Sequence, residues 1–501
     1  MIRISPLLLL LGCVPFALPS TACQGQSALA PSIALEPCRP EGFAEEVRCG
    51  VLERPEDPAR PDGRRVALQI VVLPARASHP KPDPLYAIAG GPGQSARKMG
   101  PMLGGLFSQI RKRRDVVLVD QRGTGGSNPL ACEAVGEHLP IAARLLEAEK
   151  EAKQGEAREV EKCLQSLQDK ADLRFYGTTQ AIDDLDAVRA ALGHEAINLW
   201  GISYGTRVAL AYLRRYEPRV RSVTLDAVVP PDVILPLAMA SGAERALQMT
   251  FADCASDPDC GAAFPELGTR FDALVERLKR SPLVTTAPDP LTGELVPAQI
   301  SADALTSIVR NLLYDPDITS LLPLTLAQLG QGDPRGFLAQ ANALTGAAGV
   351  SEGMHLSVFC DEDFARFERL SNDEEKGAAE RDLFGRQVIE SYAKSCAVWP
   401  RAADVPAALF EPLVSNVPVL ILSGALDPVT PPAFGERVKQ TLSNARHAVA
   451  PGAAHGLTPR GCTAKVIARF VERPEPAKLD VACIEAMRRR PFFLTFAGPK
   501  P

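Results

Sequence analysis

The chain has 501 residues, with 55 Lys and Arg against 60 Asp and Glu and a formal net charge of −5. Hydrophobic residues make up 46% and charged residues 23%, which excludes collagen-like, coiled-coil and wholly disordered chains and leaves material for a large core. With no basic excess, nucleic acid is not an expected partner.

The chain opens on Met1-Ile2-Arg3, an apolar run over 7–11 continued over 13–18, and Ser20-Thr21-Ala22-Cys23. A charged start, an apolar stretch too short and Pro-broken to span a bilayer, and small residues after it predict a signal peptide over 1–22. The protein is therefore expected to be exported: periplasmic, extracellular or held at the cell envelope. No later window has about 18 unbroken apolar residues, so no membrane span is expected.

Twelve cysteines are present, and export takes them to an oxidising compartment where thiols pair. Cys13 leaves with the signal. If Cys23 carries an N-terminal lipid anchor, ten remain for five bridges. Sequence cannot fix connectivity. Pairing of sequence neighbours is the expectation: Cys38/Cys49, Cys132/Cys163, Cys254/Cys260, Cys360/Cys396 and Cys462/Cys483.

Residues 23–63, rich in Pro, Glu and Arg, read as a surface leader, with regular structure after them. Val66, Leu68, Ile70 and Val72 alternate as in a strand. The segments 84–89, 115–120, 196–200, 220–225, 417–422 and 445–450 read as further strands; 115–120 is continuously apolar between its aspartates, as a strand buried on both faces would be. Residues 178–192 show helical spacing with Thr178 or Thr179 as cap. Between 231 and 412 the pattern is helical with Pro breaks. The expected architecture is a mostly parallel sheet flanked by helices, built from 64–230 and 413–501, with a large helical lid insertion over 231–412. The cationic run 111–114 reads as a solvated helix end.

Gly201-Ile202-Ser203-Tyr204-Gly205 lies between a predicted strand and a predicted helix, the setting of a nucleophile elbow. A serine hydroxyl needs a base and an orienting carboxylate. Of the six histidines, His455 lies in a loop after the strand 445–450 and is preferred to His447, inside that strand. Asp427 follows the strand 417–422. The order Ser203, Asp427, His455 is that of α/β-hydrolases. An oxyanion needs backbone N–H donors; Tyr204, after the nucleophile, and Gly91, in Ala89-Gly90-Gly91-Pro92-Gly93-Gln94, are the candidates. There is no His-Glu-x-x-His and no paired Cys-x-x-Cys, so neither metal nor cofactor is expected.

Together with Asp120-Gln121-Arg122-Gly123-Thr124-Gly125 and Leu225-Asp226-Ala227-Val228-Val229-Pro230, these motifs resemble the secreted α/β-hydrolases of the tripeptidyl aminopeptidase and proline iminopeptidase group. Ala89, where proline iminopeptidases have His, leans toward the tripeptidyl branch. The resemblance implies a serine aminopeptidase that releases short N-terminal peptides, tripeptides foremost, or single residues from peptides with a free N-terminus. It also implies that Glu362, with Asp363, binds the substrate ammonium beside a Cys360–Cys396 bridge. Arg122 is expected to hold the oxyanion loop. A carboxylesterase using the same triad and an inactive surface-binding lipoprotein are the alternatives.

Overall fold

Strands that are apolar on both faces need cover on both sides, and the computed structural model supplies it. It describes residues 33–132, 141–146, 157–344, 349–371, 377, 379 and 382–499; the predicted signal peptide, Cys23 and His138 lie outside them. The nine sheet strands are β1 (Glu36–Cys38), β2 (Val47–Pro55), β3 (Arg65–Leu73), β4 (Leu85–Ile88), β5 (Val116–Val119), β6 (Ile197–Ile202), β7 (Val220–Asp226), β10 (Val419–Gly424) and β11 (Ala445–Ala450). Their order is β1-β2-β3-β5-β4-β6-β7-β10-β11. Pairings from β5 through β11 are parallel; β1, β2 and β3 add on antiparallel.

The two-residue period divides each central strand between two cores. Tyr86, Val117, Leu199 and Ile421 face a core shared with helices Thr178–Ala191 and Tyr204–Tyr216. Ala87, Leu118, Trp200 and Leu420 face the other, under helices Ala96–Leu106 and Thr463–Glu472. β4, β5 and β10 are buried at every position.

Two expectations need correction. Regular structure does not wait for residue 64: β1 and β2 lie within the expected leader and pair antiparallel with each other and with β3. β2 alternates buried and exposed positions, and its polar outer face hides it in a Pro- and Glu-rich stretch; a Cys38–Cys49 disulfide staples it to β1. The insertion is also not wholly helical. It carries a hairpin of β8 (Leu283–Pro288) and β9 (Leu295–Ile300), whose apolar Val284 and Leu295 stay exposed. Its helices, including Leu235–Ser256, Leu267–Arg280 and Ala302–Leu312, surround a third core containing Phe251, Phe271, Val309 and Phe337. All five expected disulfides form. Among the described residues no helix is long and apolar enough to cross a membrane.

Three cationic residues depart from expectation. Arg111 and Arg114 are not solvated; they are buried, Arg111 against Glu45 and Arg114 against Asp83 (3.0 Å) and Glu472 (2.5 Å). Arg122 does not hold the oxyanion loop. Its guanidinium grips Asp184 bidentately at 2.7 and 2.9 Å and donates to the carbonyls of Glu56 and Phe175, joining the end of β2 to the helix Thr178–Ala191. Replacing Arg122 by Met should leave Asp184 buried with only the half-exposed Arg54 beside it. Breaking a buried pair costs about 3–5 kcal/mol, so the urea midpoint should fall at unchanged m-value.

Candidate active site

β6 ends at Ile202 and a helix starts at Tyr204, so Ser203 reverses the chain alone. It does so at φ 56°, ψ −127°, a conformation that costs energy for a residue with a Cβ and persists only where its surroundings enforce it. Its N–H donates to the Asp226 carbonyl at 2.9 Å. The flanking glycines make room. A Cβ on Gly201 would lie 2.4 Å from the Gly205 carbonyl oxygen, and one on Gly205 would lie 2.4 Å from that of Ile88.

Asp427 follows β10 and is fully buried. Oδ1 accepts the N–H groups of Val429 and Thr430, both at 2.8 Å; Oδ2 accepts Thr430 Oγ1–H at 2.7 Å and His455 Nδ1–H at 2.9 Å. Burial pushes the carboxyl pKa up, but the charge and hydrogen bond of His455 and the Thr430 donors reverse this and hold it below its ordinary value. Burial likewise disfavours the imidazolium, yet Asp427, and Asp226 at longer range, raise the His455 pKa above the usual histidine value. With Nδ1 committed to Asp427, Nε2 is left as the proton acceptor.

Three contacts position His455. Its N–H donates to the Tyr314 carbonyl at 3.3 Å, and the Tyr314 ring meets the imidazole edge-on at 5.1 Å. Beyond it, buried Asp226 accepts Leu457 N–H and Thr458 N–H, both at 2.7 Å, and Thr458 Oγ1–H at 2.6 Å. Asp226 thus fastens the end of β7 to the histidine loop. His447 lies elsewhere, between Glu436 and Ser423.

The Gly-rich loop runs beside the serine: a Cβ on Gly90 would sit 3.0 Å from Ser203 Cβ. Gly91 (φ 104°) and Gly93 (φ 106°) take backbone conformations that favour glycine. Asp120, from the motif that contains Arg122, does the holding expected of Arg122: its carboxylate accepts Ser95 Oγ–H at 2.6 Å and the N–H groups of Arg97 and Gly126 at 3.0 Å. The insertion holds the loop from above. Ser351 N–H donates to the Gly93 carbonyl at 2.9 Å. His355 Nδ1 lies 3.2 Å from the Pro92 carbonyl and Nε2 2.7 Å from Tyr392 Oη. A carbonyl only accepts, so His355 carries its proton on Nδ1 and receives the tyrosine hydroxyl on Nε2.

Glu362 and Asp363 lie in a π-helical turn, Phe359–Phe364, beside the expected Cys360–Cys396 bridge. Both are buried, and their partners differ. Asp363 meets Arg207, on the helix after Ser203, at 2.6 and 3.0 Å, and accepts Leu235 N–H at 3.0 Å. The Arg207 pair occupies both of its oxygens, which corrects its assignment to a substrate ammonium. Glu362 accepts Thr178 N–H at 2.7 Å and Thr178 Oγ1–H at 2.8 Å, with an Arg207 nitrogen at 3.9 Å. It caps the helix Thr178–Ala191, whose own Ncap, Gly177, offers no side chain; neither Thr178 nor Thr179 serves as cap. Thr178 Oγ1 lies 2.8 Å from Tyr204 Oη, so a chain of hydrogen bonds joins Glu362 to the residue after the serine. Burial, against the opposing pull of Arg207 and Thr178, raises the Glu362 pKa to about 7.

Ser203, Asp427 and His455 thus stand at the carboxyl ends of β6, β10 and β11, with Gly91 on the loop after β4. Sequence reasoning missed Tyr314, His355, Arg245 and Thr430. Arg245 reaches from the insertion to the carbonyls of Ala425, at 2.9 Å, and Asp427. Only Thr430 left a local trace: an Asp-Pro-x-Thr turn, in which the aspartate accepts from residues two and three places on.

A family model of the α/β hydrolase fold matches residues 83–260, and one described as TAP-like protein matches residues 381–483. The serine protease Hip1 of Mycobacterium tuberculosis is 28% identical over 455 residues, 85% of each chain. The tripeptidyl aminopeptidase of Streptomyces lividans is 29% identical over 197 residues, 37% of this chain and 36% of that one. Among solved structures, a proline iminopeptidase of Mycobacterium smegmatis superimposes with a TM-score of 0.37 at 16% identity, covering 85% of this chain and 99% of that chain. Strand order and family match together define an α/β-hydrolase. Within that fold, residues 381–483 are similar to the TAP-like family.

The tight approach at Gly205 gives a structural test. Gly205→Ala drives a methyl into the backbone of β4, and overpacking of this kind costs about 1–3 kcal/mol. Thermal unfolding should shift down accordingly.

Proposed function

We propose that the protein is an exported serine peptidase that releases short peptides, tripeptides foremost, from free N-termini through an acyl-enzyme. The observation that carries this reading is the buried Asp427 carboxylate, 2.9 Å from His455 Nδ1, on the strand edge that displays Ser203. Five disulfides suit an oxidising compartment, and the relatives named above include a serine protease and a tripeptidyl aminopeptidase.

Ser203 Oγ attacks the peptide carbonyl carbon while His455 Nε2 takes its proton. The carbonyl oxygen becomes an oxyanion, held by the amides of Gly91 and Tyr204. The intermediate collapses, the C–N bond breaks, and His455 returns the proton to the departing amine. Water, deprotonated by the same imidazole, then releases the N-terminal fragment from Ser203. Asp427 fixes the tautomer and stabilises the imidazolium.

Glu362 is the carboxylate that remains for the substrate ammonium, since Asp363 is taken by Arg207. It has two neutral donors from one threonine, and an approaching cation favours its ionised form.

Amide substrates of one, two and three residues, each free or acetylated at the N-terminus, test the reading. Turnover of free tripeptidyl amides, lost in Ser203→Ala along with fluorophosphonate labelling, is expected. Rapid ester cleavage without amide turnover would retain the triad and overturn the peptidase. Asp427→Asn should lower kcat about 10⁴-fold. In the wild type kcat/KM should rise with pH through a His455 pKa above the ordinary value, and in Asp427→Asn that limb should move to lower pH.

Glu362 has its own test. A carboxyl that ionises near pH 7 is mostly protonated below that pH, so KM for free-amine substrates should rise as pH falls through 7. KM for acetylated substrates should not. Glu362→Gln should abolish the difference, and its circular dichroism would check that the cap it supplies to the helix Thr178–Ala191 survives.

A further inference from the structure

With Gly91 and Tyr204 read as the oxyanion donors, we propose that His355, oriented by Tyr392, is a positioning residue for the oxyanion hole, so that the insertion completes the hole. The same hole serves an ester or a peptide carbonyl, so this role does not need the substrate to be a peptide.

The loop Gly90-Gly91-Pro92-Gly93 cannot hold an amide still by itself. Its glycines have wide backbone freedom, Pro92 has no N–H to donate, and the loop closes on itself through Gln94 N–H and the Gly90 carbonyl at 3.3 Å. Oxyanion stabilisation requires donors fixed before charge develops, so that nothing reorganises during the reaction. The start of the helix Glu352–Val358, in the insertion, supplies the restraint. Ser351 N–H donates to the Gly93 carbonyl at 2.9 Å, and His355 Nδ1 lies 3.2 Å from the carbonyl of Pro92, the residue after Gly91. Two successive carbonyls are gripped in this way, and only the His355 grip is a side chain.

The ring is itself held in one state. Tyr392 Oη–H donates to Nε2 at 2.7 Å, which leaves the ring proton on Nδ1, toward Pro92. Phe359, one turn after His355, stacks on the Tyr392 ring at 3.7 Å and lies nearly parallel to the imidazole at 5.5 Å. The helix that carries Tyr392, Gly385–Val398, is bonded to this turn through Cys396 and Cys360. Burial, opposed by the Pro92 carbonyl and Asp363, keeps the His355 pKa below the ordinary histidine value. His455 serves as base only above its own raised pKa, so His355 is neutral wherever the site works.

The other donor is reached from the same segment. Glu362 stands seven residues after His355, roughly 10 Å along a helix, and its partner Thr178 meets Tyr204 Oη at 2.8 Å. Both sides of the hole are therefore referenced to one stretch of the insertion.

The test separates turnover from binding and from folding. For His355→Phe, His355→Asn and Tyr392→Phe, kcat is measured per site titrated with a fluorophosphonate, on p-nitrophenyl acetate and on free tripeptidyl amides. His355→Phe keeps a ring and loses both hydrogen bonds; kcat should fall roughly 100-fold on every substrate the wild type turns over, with KM within about twofold, the scale of a 1 Å misplacement. Asn places an amide N–H near the position of Nδ1 and should restore about tenfold of that loss. Tyr392→Phe frees the tautomer and should lie between the wild type and His355→Phe. Phenylboronic acid adds Ser203 Oγ to boron and puts a boron-bound oxygen in the hole, so its inhibition should weaken in parallel with kcat/KM. Circular dichroism reports on folding. A folded His355→Phe with wild-type kcat per titrated site would overturn the proposal, as would a loss confined to the number of titratable sites. So would a fall in kcat that boronate affinity does not follow. Wild-type cleavage of the ester alone would overturn the peptidase reading instead, with the role of His355 decided on the ester.

Discussion

The site depends on how closely three backbones approach at the carboxyl edge of the sheet. The carbonyls of Ile88 and Gly205 lie where Cβ atoms on Gly205 and Gly201 would have to go, so β4, β6 and the helix after Ser203 meet without side chains between them. That approach fixes the serine in its left-handed turn and sets the Gly90 loop against it. Strain of this kind persists only when neighbouring contacts over-determine it. Here they do: Ser203 is tied to β7 through the Asp226 carbonyl, and the Asp226 carboxylate fastens the histidine loop to that same residue. One aspartate therefore references two of the three site segments to a single point in the sheet.

The insertion is part of this arrangement. Tyr314 packs on His455, Arg245 holds the carbonyls of the Asp427 loop, Ser351 and His355 hold the Gly-rich loop, and Glu362 and Asp363 bind the nucleophile helix and its neighbour. Each loop that presents a reacting group is thus gripped from the sheet below and from the insertion above. The buried Arg207–Asp363 pair fits this role. Its worth lies less in net stability, since buried ion pairs roughly break even, than in fixing one seating of the insertion on the helix.

The fold was legible in the sequence where periodicity and burial coincide. Val116–Val119 and Val419–Gly424 are apolar on both faces and announced themselves as central strands, and the Gly-x-Ser-x-Gly turn located the serine between two of the elements read most easily. Strand β2 was not legible, because its outer face is polar and it lies in a Pro- and Glu-rich stretch. The triad partners followed from strand-then-loop context. Tyr314, His355 and Arg245 carried no such context: they act through contacts between segments distant in sequence, which only the folded chain brings together. Arg122 and Asp120 show the finer limit. The motif was correctly singled out, but which of its two charged residues faces the loop is decided by side-chain direction, and spacing does not encode that.

The five disulfides close loops of 6 to 36 residues, and each begins and ends within the sheet part or within the insertion. Among the described residues no disulfide crosses the boundary between them. Each part is therefore stapled from within, while the seam rests on non-covalent contacts: a shared apolar core, ion pairs such as Arg207–Asp363 and Arg460–Asp315, a helix cap and carbonyl contacts. Reducing the disulfides would therefore loosen each part from within and leave the shared core between them in place.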